Sequence, residues 1–366
     1  MFYQLLIVSI NIIIGVFIGH RILMSFKLKK VYSKVIFWII FMLFSCSYVI
    51  SIIFNGILPY DITKDLNILG SYYLAFFAYI ALLFPVAFIL SKIFKKGSKK
   101  VDFYLISLVF VTLIVSCGYY FAHSPYIKTY DVKTDKQLEN GSLKIAMVSD
   151  IHLGYLVKNN QLSQMIDDIN AENPDIVLLA GDVIDYDLTP VIKDNMLSQF
   201  KNLKSKYGTY ACLGNHDYYN GTSDELVNLL TENNIKVLQD SSTLINNNFY
   251  VIGRNDKTTS LFNETRTPLS KITNGLDASK AILLLDHEPR NFSESIDSNI
   301  DLQVSGHTHK GQLFPFNFVT HAIFQSDYGY TKYNNTNVIV SSGYGTWGPP
   351  IRTNSRSEIV MINLHN

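Results

Sequence analysis

The hydrophobic pattern divides the chain in two. Four nearly continuous apolar runs, near 2–23, 35–54, 71–91 and 102–122, fill its first third. Runs of about 20 residues span the hydrocarbon core of a bilayer as helices, whereas buried helices of a soluble domain would be shorter and carry polar faces. From about residue 125 the period changes. Asn140-Gly141 signals a turn ahead of an apolar strand at Leu143–Val148, and further strand-like stretches follow at 176–180, 208–213, 249–253, 281–285, 301–305, 337–341 and 358–364. Helix-like segments near 160–172 and 190–204 separate the first of these. Strands alternating with helices predict an α/β layered fold. So many strands exceed one ordinary sheet, and two packed sheets flanked by helices are expected. The predicted organisation is a bundle of four transmembrane helices over 1–122, a linker and first strand region over 123–142, and an α/β domain over 143–366.

Charge sharpens this division. Residues 1–121 hold eleven Lys or Arg against three Asp or Glu, and the remainder holds twenty against twenty-seven. An acidic soluble part is a poor surface for nucleic acid, so no nucleic-acid partner is expected, and it suits cations. Lys27, Lys29, Lys30 and Lys34 follow the first run, and Lys92, Lys95, Lys96, Lys99 and Lys100 follow the third. Between the second and third runs stands Lys64, balanced by Asp61 and Asp65. The positive-inside rule then places both basic loops in the cytoplasm, and everything after the fourth run outside it. Met1-Phe2-Tyr3-Gln4 has no basic start and no small-residue cleavage site follows, which favours an uncleaved span over a signal peptide. The runs lack the ionisable residues that mark a transport pathway, so they read as an anchor in the lipid bilayer. Cys46, Cys117 and Cys212 give no disulfide framework.

The polar groups with chemistry follow the apolar strands. Ser149-Asp150-Ile151-His152 closes the first and Gly181-Asp182-Val183-Ile184-Asp185 the second. Gly214-Asn215-His216-Asp217 closes the third, and Asp286-His287 and Gly306-His307-Thr308-His309 close later ones. In open α/β sheets, ligand sites collect where loops leave strand C-termini. Asp, His and Asn donors suit divalent Mn, Fe or Zn. Each segment alone is weak. Five in one order, each after a strand, are not.

These blocks resemble, in order and type, those of the calcineurin-like metallophosphoesterases, over roughly residues 126–366. Gly343-Tyr344-Gly345-Thr346-Trp347-Gly348-Pro349-Pro350-Ile351-Arg352 is similar to the membrane-associated bacterial branch. The resemblance implies an αββα sandwich and a binuclear site of two divalent metal ions. Asp150, His152 and His309 would hold one ion, Asn215, His287 and His307 the other, and Asp182 would bridge them. It further implies that His216 protonates the leaving group or stabilises the charge built up on phosphorus, with Asp217 orienting its ring, and leaves Asp185 as an outer supporting residue or a helix start. Lys310 stands where the branch usually has Gly, either as a solvated side chain or as a cation meeting phosphate. Arg352 reads as a surface residue or a substrate contact, and Tyr328 to Tyr330 and Tyr344 to Trp347 as core packing or an apolar rim.

The resulting expectation is an integral membrane enzyme of a bacterial cell membrane, with its catalytic domain extracytoplasmic. It would hydrolyse a phosphomonoester, phosphodiester or pyrophosphate of a small molecule or of a lipid-linked or envelope substrate. A relative that hydrolyses UDP-diacylglucosamine would require a cytoplasmic site, which the charge pattern opposes. A silent membrane sensor or scaffold would have lost a ligand or His216, and none is lost.

Overall fold

A computed structural model describes residues 2–26, 28–94 and 101–366, with side chains from Ile12 onward. Lys27 and the lysines at 95, 96, 99 and 100, on which the orientation argument draws, lie outside the described residues. The chain forms two compact units, one helical and one α/β.

The helical unit contains α1 (Phe2–Ser25), α2 (Val31–Ile53), α3 (Tyr60–Ile93) and α4 (Phe103–Ala122). Three of them, α2, α3 and α4, are long and apolar enough to cross a membrane, and the described part of α1 is a shorter apolar helix. Many of their large side chains point outward: Ile39, Ile40, Leu43, Val109 and Leu113 are all more than half exposed. Tyr73, Tyr79 and Phe84 turn inward, and the closest backbone approach uses small residues. A Cβ on Gly70 would collide with the backbone of Tyr48 in α2, and Ser47, Ser51 and Ser71 are buried beside that approach. Close packing through small residues is how helices associate where the surrounding solvent is as apolar as Leu. α3 runs 34 residues, about 50 Å at 1.5 Å per residue. It begins eleven residues before the apolar run, because the polar stretch from Tyr60 keeps helical contacts: Asn67 donates to Ser51 Oγ at 3.4 Å.

The α/β unit holds twelve strands: β1 (Tyr126–Lys133), β2 (Ser142–Val148), β3 (Ile176–Ala180), β4 (Thr209–Cys212), β5 (Ile235–Val237), β6 (Ser241–Ile245), β7 (Phe249–Gly253), β8 (Ala281–Leu285), β9 (Leu302–Ser305), β10 (Gly329–Tyr333), β11 (Thr336–Val340) and β12 (Glu358–His365). They make two six-stranded mixed sheets, ordered β1-β12-β2-β3-β4-β5 and β10-β11-β9-β8-β7-β6. Strands β2 to β4 are mutually parallel, as are β7 to β9. Their inner faces interdigitate: Ile145, Met147, Leu178 and Cys212 of one sheet share a buried cluster with Phe249, Leu283, Leu285 and Val304 of the other. The alternate residues Ala146, Val148, Val177 and Leu179 face outward onto α5 (Asn159–Ala171), whose Leu162, Met165, Ile166 and Ile169 repeat at helical spacing. Beyond α5, α6 (Leu188–Lys193) and α7 (Ser223–Glu232) flank the first sheet. On the second sheet, Ile252, Ile282 and Leu284 pack on α8 (Leu269–Ile272), and Val338 and Val340 pack with Phe292 of α9 (Phe292–Asp297). Strands buried on both faces explain the continuous apolar runs, and truncating one such Leu to Ala costs about 2–5 kcal/mol.

Differences from the expected elements are local. The predicted helix over 190–204 breaks at Asn195, whose φ of 46° ends α6 and starts a 3-10 segment. The short or edge strands β1, β5, β6 and β10 carry charged and polar residues that hide their period. Asn246 and Asn247 turn β6 into β7 with positive φ.

Candidate metal centre

Because β2, β3, β4, β8 and β9 run parallel within their sheets, the loops after them leave at matching edges. All seven proposed ligands lie on those loops. The backbone joins the loops directly: Asp150 N–H donates to Gly181 O and His152 N–H to Asp182 O, each at 3.0 Å. Glycines make the approach possible. A Cβ at Gly214 would strike the Asp182 carboxylate, and one at Gly306 would strike Asp150 and Ser149.

The site residues hold an unusual backbone. Asp150, His152, Asp182, His307, His309 and Lys310 all have φ between 50° and 71°. L-residues in this left-handed region cost roughly 1–2 kcal/mol each. Such strain, concentrated in one place, is characteristic of a functional site.

Two groups of donor atoms converge. In the first, His152 Nε2 lies 3.1 Å from His309 Nε2, and His309 Nε2 lies 3.2 Å from Asp150 Oδ1. In the second, His307 Nδ1 lies 2.8 Å from Asn215 Oδ1, and His287 Nε2 lies 3.1 Å from Asp182 Oδ2. Asp182 Oδ2 is also 3.8 Å from His152 Nε2, so it stands between the groups. Donors held about 2.1 Å from one ion are separated by about 3.0 Å along an octahedral edge and 3.4 Å along a tetrahedral one. The observed spacings are those of ligands around an ion. Two nitrogens also lack hydrogen-bond partners despite burial, His152 Nδ1 and His287 Nε2. The second of these suits a metal: His287 Nδ1 lies 2.8 Å from Ala180 O, which fixes a proton there and turns Nε2 toward the cluster, where an ion would take the place of its second proton.

Burial holds His152 well below its ordinary pKa, helped by His216, and likewise lowers His309. Both imidazoles are therefore neutral at pH 7, the form that binds metal. His287 behaves oppositely. Burial alone would lower it, but the Asp182 carboxylate outweighs this and raises it well above 6.5. Burial would also lower His216, yet its hydrogen bond to Asp185 and the charges of Asp182 and Asp185 push it up to about 9.

The structure corrects the expected partner of His216. Its Nδ1 bonds the backbone carbonyl of Asp185 and lies 3.4 Å from the Asp185 carboxylate. Asp217 is engaged elsewhere: its buried carboxylate accepts the N–H groups of Ile184 and Gly214 at 3.0 and 2.8 Å. It splints the loops after β3 and β4 and does not touch the ring. Asp185 and Asp217 lie on separate loops, and the sequence alone does not show which of them faces the ring.

Arg352 is neither a surface residue nor a substrate contact. It is fully buried, donates to the carbonyls of Ser342, Gly343 and Gly345, and places Nη2 3.2 Å from His309 Nδ1. Burial draws its pKa down to about 10. Tyr344 is core, its hydroxyl bonding Gln161 O, and Tyr328 donates to the buried Glu358 carboxylate at 3.0 Å, whereas Trp347 is half exposed. Lys310 has φ 51° and ψ 36°, a conformation Gly adopts freely, and its ammonium sits 4.1 Å over the Tyr328 ring. Tyr219 went unnoticed in the sequence. Its hydroxyl accepts the Asn215 amide N–H at 2.6 Å, which turns the amide oxygen toward His307.

Comparison with known proteins agrees with this geometry. The calcineurin-like phosphoesterase family signature matches residues 143–311. An uncharacterized metallophosphoesterase of Campylobacter jejuni is 36% identical over 245 residues, covering 66% of this chain and 63% of that protein. A transmembrane protein with metallophosphoesterase domain from Danio rerio is 30% identical over 260 residues, 66% of this chain and 58% of its own length. The chain thus spans about three fifths of these two relatives. An uncharacterized metallophosphoesterase of Aquifex aeolicus is 31% identical over 241 residues, 65% of this chain and 91% of its own. The chain belongs to the calcineurin-like metallophosphoesterase family.

Proposed function

We propose that this protein hydrolyses a phosphate ester or pyrophosphate at a binuclear centre, as a membrane-anchored enzyme acting on a lipid-linked or envelope substrate. The observation that carries the reading is that Asp150, His152 and His309 cluster on one side of Asp182, whose carboxylate also closes on His287 at 3.1 Å. Asp150, His152 and His309 would hold one divalent ion, and Asn215, His287 and His307 the other, with Mn, Fe or Zn matching the donor set. Bound there, the ions would supply positive charge to the phosphate oxygens and acidify the attacking water.

The remaining chemistry belongs to the chain. His216 lies with its Nδ1 held by Asp185, so its Nε2 is free to offer a proton. In the metal-free protein a pKa near 9 keeps the ring protonated at neutral pH, the form that a general acid for the leaving oxygen requires. Its side chain is 18% exposed and that of His307 24%, so substrate approaches from this side. Burial of Asp150, His152 and His309 keeps water from the opposite side.

The first three apolar runs and the fourth together form a four-span anchor over 1–122, and the domain over 143–366 faces outside the cytoplasm. The lysine distribution supports this orientation. A reporter fused after Asn366 that is active only in the cytoplasm would reverse it. The activity itself is tested with the purified full-length protein, on chromogenic mono- and diesters with Mn, Zn or chelator. Turnover should require metal and fall roughly 10²–10⁴-fold in His216→Ala. Loaded, folded protein that turns over neither ester would refute the proposal.

A further inference from the structure

Between Asp301 and Asp327 the sequence has no acidic residue, and the segment after His309 is rich in large apolar side chains. The structure leaves them uncovered. Helix α10 (Asn317–Ile323) has none of its residues buried among the described chain. Phe314, Phe316, Phe318, Val319 and Ile323 are between 46% and 64% exposed, and Trp347 is 49% exposed. The rings of Phe314 and Phe318 touch at 5.9 Å, and the Trp347 backbone exchanges two bonds with the Gln312 amide, which ties its loop to the start of this segment. Single exposed apolar residues need no explanation. A run of them along one segment marks an interaction surface.

We propose that this face docks into the headgroup region of the lipid bilayer and so holds the open side of the metal cluster against the membrane surface. The bilayer is the apolar phase this domain always meets: three residues, His123, Ser124 and Pro125, separate β1 from the end of the membrane-type helix α4. Tethering makes even weak docking effective. Phe residues in a run that carries Lys310 and no Asp or Glu of its own, with Trp347 tied to it, are the composition of an interfacial segment. Lys310 supplies a cationic group here, and His321 Nδ1 lies 3.5 Å from Asp327, which closes the segment. The segment is continuous with the site, since it begins at His309 and its last ring, Phe324, lies 5.7 Å from that of His307.

The test uses the full chain in phosphatidylcholine–phosphatidylglycerol nanodiscs. The sequence has two Trp, so Trp38→Phe leaves Trp347 as the sole reporter. A second reporter, Phe318→Trp in a Trp38→Phe, Trp347→Phe background, reads α10 itself. Docking predicts blue-shifted emission from both, quenched about twofold when the lipid chains are brominated, because such segments bury about 5–10 Å into the interface. Water-like emission without quenching from either reporter overturns the docking, and would point to a protein partner for this face. The second half of the proposal rests on the phosphoesterase reading. The combined change Phe316→Ser, Phe318→Ser and Ile323→Ser should lower the ratio of turnover on a bilayer-embedded phosphodiester to that on a soluble one by about tenfold, the loss of a tethered surface. An unchanged ratio overturns the role in presenting substrate. If the parent protein hydrolyses neither ester, the phosphoesterase reading fails and the fluorescence result still decides docking.

Discussion

The two halves of the proposed metal centre are built differently. Asp150, His152 and His309 are at most 2% exposed, all three have positive φ, and His309 rests against the buried Arg352. In the second half Asn215 and His287 are also buried, at 6% and 1%, but the His307 side chain is 24% exposed and Asn215 is steered by the exposed Tyr219. The first half is closed on all three ligands. The second opens at His307, which faces the entry. The difference teaches a division of labour: the closed half should keep its ion through turnover, while the open half meets substrate and exchanges more readily.

Asp182 belongs to both halves, so removing it should abolish the contrast. Asp182→Ala is expected to lower turnover by about 10³-fold or more, equivalent to about 4 kcal/mol of barrier, and to lower metal content by elemental analysis at both positions. Retention of one full equivalent would show that the closed half stands without the bridge. Arg352→Ala attacks the closed half alone. Removing the guanidinium leaves buried carbonyls of Ser342, Gly343 and Gly345 without donors, and a loss of about 3–5 kcal/mol in denaturant unfolding is expected. Lys at this position should not restore it, because an ammonium lacks the planar fork.

Protons distinguish the halves without mutation. His152 and His309 have pKa values lowered by burial, so above pH 6.5 an ion entering the closed half displaces no proton from them. His287 has its pKa raised well above 6.5 because Asp182 outweighs the effect of burial, so at pH 7 it is protonated in the metal-free protein. An ion entering the open half must displace that proton. Affinity of the open half should therefore rise as pH increases from 6.5 toward the raised value, and that of the closed half should stay level. Calorimetric titration in buffers of different ionisation enthalpy should count about one proton released by the second ion and none by the first. Equal release by both would erase the distinction.

The legibility of the molecule follows the same physical lines. Strands buried on both faces, such as Ile176–Ala180 and Ala281–Leu285, announce themselves as apolar runs, and the polar blocks after them give the ligands because metal chemistry restricts residue type. Edge strands do not: Tyr126–Lys133 alternates partly buried and exposed positions with Lys and Asp among them. Three-dimensional partnerships were equally hidden. Whether Asp185 or Asp217 faces His216 depends on which way two loops turn, and Arg352 is buried because carbonyls of a loop seven to ten residues earlier surround it. The membrane-type helices show the reverse case, where composition reveals the span but polar Tyr60–Gly70 conceals how far α3 extends.

Lys310 supplies the smallest and most discriminating difference. It follows directly on the closed half, at φ 51°, where Gly would fit without strain. Lys310→Gly removes that strain but adds backbone freedom to the unfolded chain, which costs roughly 0.5–1 kcal/mol, against a relief of roughly 1–2 kcal/mol. The net expectation is a gain of about 0–1.5 kcal/mol, at about 2–4 °C of thermal midpoint per kcal/mol in a unit of this size. The ammonium over Tyr328 is an exposed-type cation–π contact whose loss takes back about 0.5–1 kcal/mol, so a midpoint shift near zero would mean that the contact offsets the strain. Kinetics separates this structural account from a role at the phosphate. A residue that only packs leaves KM and kcat unchanged on substitution, whereas a cation meeting the substrate raises KM in Lys310→Gly and recovers it in Lys310→Arg.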